Sequence, residues 1–179
     1  MRPSGLLRGT VCLVVVSFLA VAAFPARASA QERKGFVIGF GGGFGYTNWG
    51  TNHSGVFTNI KIGYAPTNRF AILWHSASTT FKANNGSWMM DGMAGGSIQI
   101  FLSKQPGRGG YVIGGAGYHN MGRFQDFPYG TNDLGFGIRG GFGYEFAKRW
   151  TVETLVQHGF HKDQGNPTSL GVTVNWLFY

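Results

Sequence analysis

Between Asp133 and Phe146 the chain alternates between bulky apolar residues and small or charged ones (DLGFGIRGGFGYEF). Even positions carry Leu134, Phe136, Ile138, Gly140, Phe142, Tyr144 and Phe146. Odd positions carry Gly135, Gly137, Arg139, Gly141, Gly143 and Glu145. Successive side chains of a strand point to opposite faces, so this period of two gives one broad apolar face and one narrow face of glycine and charge. In a water-soluble barrel the apolar face would turn inward and leave glycine, one Arg and one Glu as the coat, whereas soluble surfaces carry interspersed charge. In a bilayer the arrangement inverts, with apolar side chains toward lipid and small or polar ones filling the lumen. The stretch predicts a transmembrane β-strand.

Seven further segments repeat the signal. A polar leader, Gln31 to Lys34, precedes a first strand from Gly35 to Thr47, with Phe36, Ile38, Phe40, Phe44 and Tyr46 opposite Val37 and four glycines. A second, Gly55 to Ala65, sets Val56, Ile60, Ile62 and Tyr64 against Asn59, Lys61 and Gly63. A third, Arg69 to Phe81, is apolar on both faces at its start; Phe70, Ile72 and Trp74 are assigned to lipid. The fourth, Trp88 to Ser103, places Asp91, Gly95, Ser97 and Gln99 inward. The fifth, Tyr111 to Asn120, alternates too weakly to assign its faces. The seventh, Trp150 to Phe160, turns Glu153 and Gln157 inward, and the eighth sets Leu170, Val172, Val174, Trp176 and Phe178 against Gly171, Thr173 and Asn175.

Turn chemistry separates these segments: Pro66-Thr67-Asn68, Lys104 to Gly110 and Ala147-Lys148-Arg149 on one side. Longer connections over 48–54, 82–87, 121–132 and 161–167 lie on the other. Short turns alternating with longer loops, and an even strand count, predict an all-β, eight-stranded antiparallel transmembrane β-barrel with both termini at the short-turn, periplasmic end. Closure leaves no unpaired edge in lipid.

Met1 to Ala30 reads differently. Arg2 and Arg8 precede an apolar run, Val11 to Phe24, and Ala28-Ser29-Ala30 forms an A-x-A site, so a signal peptide cleaved after Ala30 is expected. The run is short for a membrane-spanning helix of ~20 residues. Cys12, the single cysteine, leaves with it, which excludes disulfides and thiol chemistry from the mature chain. Residues 31–179 then form one domain, keeping twelve of the fifteen basic residues and all seven acidic ones, a net charge of +5. Charged residues are 12% of the chain, against ~25% in soluble domains, while glycines number 31 and aromatics reach 16%. That balance suits a barrel better than a soluble enzyme, and ordered alternation argues against a disordered glycine-rich chain.

The opening KGFVIGFGGGFGY, the middle GGYVIGGAGY, the segment LGFGIRGGFGYEF and the ending LGVTVNWLF together resemble the eight-stranded outer-membrane barrel family, which includes OmpA-like, OmpX-like and OmpW-like barrel domains. The resemblance implies a bacterial outer-membrane address and contact with outer-membrane lipid and lipopolysaccharide. It also implies insertion by the barrel-assembly machinery, whose signal would be Gly171, Val174, Trp176 and Phe178. Tyr179 follows the aromatic that is in phase, which leaves the terminal anchor open.

Candidate chemistry is sparse. Lys61, Asp91, Arg139, Glu145 and Glu153 fall on the lumen side, where an eight-stranded barrel is just wide enough for side chains to fill it. There they form either a structural polar plug or a gated ion path. Gly135 to Gly140 satisfies G-x-G-x-x-G, but no helix follows, so no dinucleotide site is expected. Lipid A deacylases are also eight-stranded barrels, and the chain resembles them weakly near His158. Their His-x-Ser pair is here His158-Gly159-Phe160, with no nucleophile. No catalytic residue, metal or cofactor is expected, and no nucleic acid partner. Arg123, Phe124, Phe127 and Tyr129, on the longest loop, are the candidate outer contact residues. The function expected is non-enzymatic, structural or surface-contacting in the envelope, by a monomer; a small porin-like channel for ions or apolar solutes, or a lipid A-modifying hydrolase, are the alternatives.

Overall fold

The computed structural model describes residues 32–123, 133–162 and 165–179. Eight strands follow in order: β1 (Gly35–Trp49), β2 (Thr51–Thr67), β3 (Phe70–Lys82), β4 (Trp88–Phe101), β5 (Gly109–Arg123), β6 (Asp133–Ala147), β7 (Trp150–Phe160) and β8 (Thr168–Phe178). Each pairs antiparallel with its neighbour in sequence, and β1 pairs with β8 from Ile38↔Phe178 to Asn48↔Thr168. The sheet is a closed barrel, and the ends of β1 and β8 that carry the termini lie side by side.

Alternation sets the two faces. Phe36, Phe40, Phe44, Ile60, Ile98, Ile138, Phe142 and Val174 point outward. Ile72 and Trp74 do the same, in line with the orientation assigned to β3, while Leu73 and His75 are buried. The faces of β5 are now defined: Tyr111, Ile113, His119 and Met121 look inward, Val112 and Tyr118 outward.

The lumen is less uniformly small than β6 alone implies. Phe57, Phe81, Phe101, Tyr111 and Met93 are buried in it alongside the polar groups. Glycines on other strands make room for them. A Cβ on Gly171 would sit 2.5 Å from the Phe57 ring, and one on Gly159 would sit 2.6 Å from the His119 ring. Much of the inward-facing glycine is therefore a packing requirement of a bore filled by large side chains.

One expectation is corrected. The loop placed over 48–54 is mostly hairpin: Thr47↔His53, Asn48↔Asn52 and Trp49↔Thr51 continue the β1–β2 ladder, and Gly50 makes the turn at φ 65°. Ladder hydrogen bonds across this polar stretch extend the strands beyond the apolar pattern, so the first far-end connection is tight rather than long. Arg33, in the polar leader ahead of β1, is wholly buried.

Candidate functional site

Five lumen charges assigned from alternation, Lys61, Asp91, Arg139, Glu145 and Glu153, all lie inside the bore, at most 5% exposed. They do not form one cluster. Three ties cross the barrel, each at a different level.

At the end holding the termini, Arg33 enters the bore just ahead of β1. Its guanidinium pairs with Glu145 of β6, with Nε 3.2 Å from both carboxylate oxygens and Nη2 bonded to Oε2. Nη1 donates to the carbonyls of Asn68 (2.9 Å) and Ser103 (2.7 Å), and Nη2 to that of Gln105 (2.7 Å). The group also lies 4.2 Å from the centre of the Phe101 ring. Glu145 further accepts from the Gly107 amide and from the hydroxyl of Tyr179. Tyr179, just beyond β8, has its ionisation pushed well above the ordinary tyrosine range by burial and by the adjacent carboxylate. The two turns next to Arg33 in space, and the last residue of the chain, are thus gathered on one buried ion pair.

Halfway along, Lys61 of β2 pairs with Glu153 of β7 across the two strands between them. Glu153 also accepts from the Tyr111 hydroxyl at 2.8 Å and from Asn59 at 3.4 Å, so a charge removed from water is fully engaged. Toward the far end, Asp91 of β4 reaches across to Thr47 of β1 and Ser169 of β8, whose hydroxyls both donate to Oδ2. His119 Nε2 lies 3.1 Å from Asp91 Oδ1, and His119 Nδ1 is hydrogen-bonded to His161 Nε2 at 3.0 Å.

Sequence reasoning missed Arg33, His119, His161, Thr47 and Ser169. Arg33 precedes the alternating region, and the others become neighbours only through the stagger of the strands. Arg139 donates from Nη2 to the Met93 carbonyl at 2.7 Å and makes no ion pair among the described residues.

The remaining candidates separate. His158 is on the outer side, bonded to Thr168 Oγ1 at 2.8 Å, and Phe160 points outward. His158 therefore faces away from the polar bore. Ser169, His119 and Asp91 do meet, but the Ser169 hydroxyl is bonded to the acid rather than to the imidazole, the reverse of what a nucleophile requires. Of the outer contact candidates, Arg123 is the exposed last residue of β5, while Phe124, Phe127 and Tyr129 lie outside the described residues. In β8, Val174, Trp176 and Phe178 share the outward face, but Gly171 faces inward beneath Phe57. Arg149, at the turn into β7, covers that outward end, 4.8 Å from the Phe178 ring centre and 6.0 Å from that of Trp176. Tyr179 turns inward to Glu145, which leaves Phe178 as the lipid-side terminal aromatic.

A closed antiparallel eight-stranded barrel, apolar outside and ionic within, is the architecture of a membrane-spanning outer-membrane protein. Residues 16–178 match the family described as outer membrane protein beta-barrel domain, and the chain belongs to that family. Among solved structures it is similar to Neisserial surface protein A, with 12% identity, a TM-score of 0.55, and coverage of 80% of this chain and 97% of that one. It is also similar to Ail, the attachment invasion locus protein of Yersinia pestis, at 11% identity and a TM-score of 0.52, covering 81% and 99%. At these identities the likeness is one of fold. No match to a curated protein sequence was found.

Proposed function

We propose that the chain is exported on a signal peptide cut after Ala30. Residues 31–179 then fold as a monomeric barrel in the bacterial outer membrane, with the termini and the Arg33 tie at the periplasmic end. There the barrel acts as a non-enzymatic envelope protein, stabilising the membrane and meeting partners through its far-end loops. Outer-membrane lipid and lipopolysaccharide bathe its apolar belt, and Val174, Trp176 and Phe178 supply the outward pattern offered to the barrel-assembly machinery.

The observation that carries this reading is the state of the bore. The side chains of Arg33, Lys61, Asp91, His119, Glu145 and Glu153 are 0–3% exposed and tied to one another across it at three levels. A water-filled path needs wetted charges, and separating buried pairs costs several kcal/mol each. The arrangement therefore favours a polar plug over a gated path. Against hydrolysis of lipid A stand Phe160, at the position where a His-x-Ser pair would carry its nucleophile, and the commitment of Ser169 to Asp91.

Planar-bilayer recording of the refolded 31–179 chain tests the reading. The expected result is no discrete conductance; stable single-channel steps would overturn it in favour of a small channel. Lipid A mass spectra from cells with and without the protein should be identical, and a lost acyl chain would restore the enzyme reading.

A further inference from the structure

Among the described residues, the three crossing ties leave the lumen cation Arg139 without a paired acid. Glu145 is held by Arg33, Glu153 by Lys61, and Asp91 by Thr47, Ser169 and the nearby His119 imidazole. Arg139 is 5% exposed, and its Nε and Nη1 have no hydrogen-bond partner among the described residues. An arginine side chain offers only donors, so it must be met by acceptors or by negative charge.

The neighbours of Arg139 are also unpartnered. Gln157, wholly buried, is its direct cross-strand partner on β7, and neither end of its amide is bonded. On the other side Arg139 pairs in register with Gly115, which in turn pairs with Ser97 of β4. Gly115 has no side chain, and the Ser97 hydroxyl occupies the space a Cβ would take. That hydroxyl is buried and unbonded. His75 of β3, wholly buried with both ring nitrogens unbonded, pairs in register with Lys61 on one side and with Gly95, two residues before Ser97, on the other. A guanidinium, an amide, a hydroxyl and an imidazole thus share one stretch of the bore, and each has hydrogen-bonding capacity unspent.

We propose that this mid-lumen cluster binds one small monovalent anion, of the size and charge of chloride, against Arg139, with Gln157, Ser97 and His75 as further donors. Water would satisfy the donors but would leave the guanidinium without an adjacent counter-charge in a medium of low polarity, since the third lumen acid, Asp91, is bonded to Thr47 and Ser169 instead. The bore is filled by side chains, which limits the occupant to an ion of one or a few atoms. The Arg33–Glu145 tie lies on one side of this cluster and the Asp91 tie on the other, so the anion is captured during folding and serves structure rather than transport.

The test is to refold residues 31–179 in sodium bromide, crystallise the barrel and collect anomalous diffraction at the bromine edge. The expected result is one bromide peak within hydrogen-bond reach of the Arg139 guanidinium, absent in Arg139→Gln. Density there that shows only water, with no anomalous signal, would overturn the proposal, as would a peak unchanged in Arg139→Gln. Should that variant fail to fold, Gln157→Leu keeps the cation and removes one donor, and it should lower the bromide occupancy; unchanged occupancy counts against the site as drawn. In solution, the urea midpoint of the wild-type barrel should be higher in sodium chloride than in sodium gluconate of equal ionic strength. Equal midpoints would again overturn it.

Discussion

Arg33, which precedes the first strand, and Glu145, near the end of the sixth, form a buried two-pronged ion pair across the end of the barrel that holds the termini. Through the carbonyls of Asn68, Ser103 and Gln105 and the hydroxyl of Tyr179, the same pair fastens two turns and the end of the chain. Removing one partner leaves the other charge buried and uncompensated, which costs about 3–5 kcal/mol. Arg33→Met should therefore destabilise the refolded barrel by about that amount in urea titration. The double substitution with Glu145→Leu should cost less than the two single losses added together. A loss below about 1 kcal/mol for Arg33→Met would show that the tie is peripheral to stability.

Gly171 lies beneath Phe57, and a methyl group there would meet the ring at 2.5 Å. Gly171→Ala should destabilise by about 1–3 kcal/mol, the usual range for overpacking. Phe57→Leu, which shortens the obstructing side chain, should recover part of the loss in the double variant. Gly171→Ala as stable as wild type would mean that the inner packing yields freely at this position.

Ile138 and Leu134 share the outward face of β6, one near mid-strand and one at the far end. In lipid, Ile138→Arg should cost about 2–4 kcal/mol and Leu134→Arg about 0–1 kcal/mol, because the penalty for charge falls toward the interface. Folding yield into phospholipid vesicles, read by the mobility difference between boiled and unboiled samples, separates the two. Equal tolerance of both would remove the lipid assignment of this face.

The raised ionisation of Tyr179 fixes the sign of an alkaline effect. The folded state holds the phenol proton to higher pH than the unfolded chain, whose tyrosines ionise near pH 10. The stabilisation is therefore complete below about pH 10 and is lost as pH rises above it. Tyr179→Phe should flatten that alkaline loss and, by removing the hydrogen bond to Glu145, lower stability somewhat at neutral pH. Identical alkaline profiles would show that Tyr179 is not held against Glu145 in solution.

Much of the fold can be read from particular residues. The alternation from Leu134 to Phe146 dictates a strand with an apolar outer face because the side-chain period of a strand is two, and the same rule places Lys61, Asp91, Arg139, Glu145 and Glu153 inside. It fails where the local signal is weak or lies elsewhere. Glycine, alanine and tyrosine alternate too faintly in β5 to reveal its faces. The polar residues 48–54 look like a loop, yet backbone hydrogen bonds extend the hairpin through them.

What the sequence by itself determined is a strand count, an inside and an outside, because those depend only on the spacing of residues along one chain. Which ions meet was decided by the closed tertiary structure. Closure and strand stagger bring Arg33 to Glu145 over 112 positions and Lys61 to Glu153 over 92, and no one-dimensional pattern encodes that stagger. The same geometry places Ser169 against Asp91 and, among the described residues, leaves Arg139 without a carboxylate, so the chemistry of the bore follows from how the barrel closes.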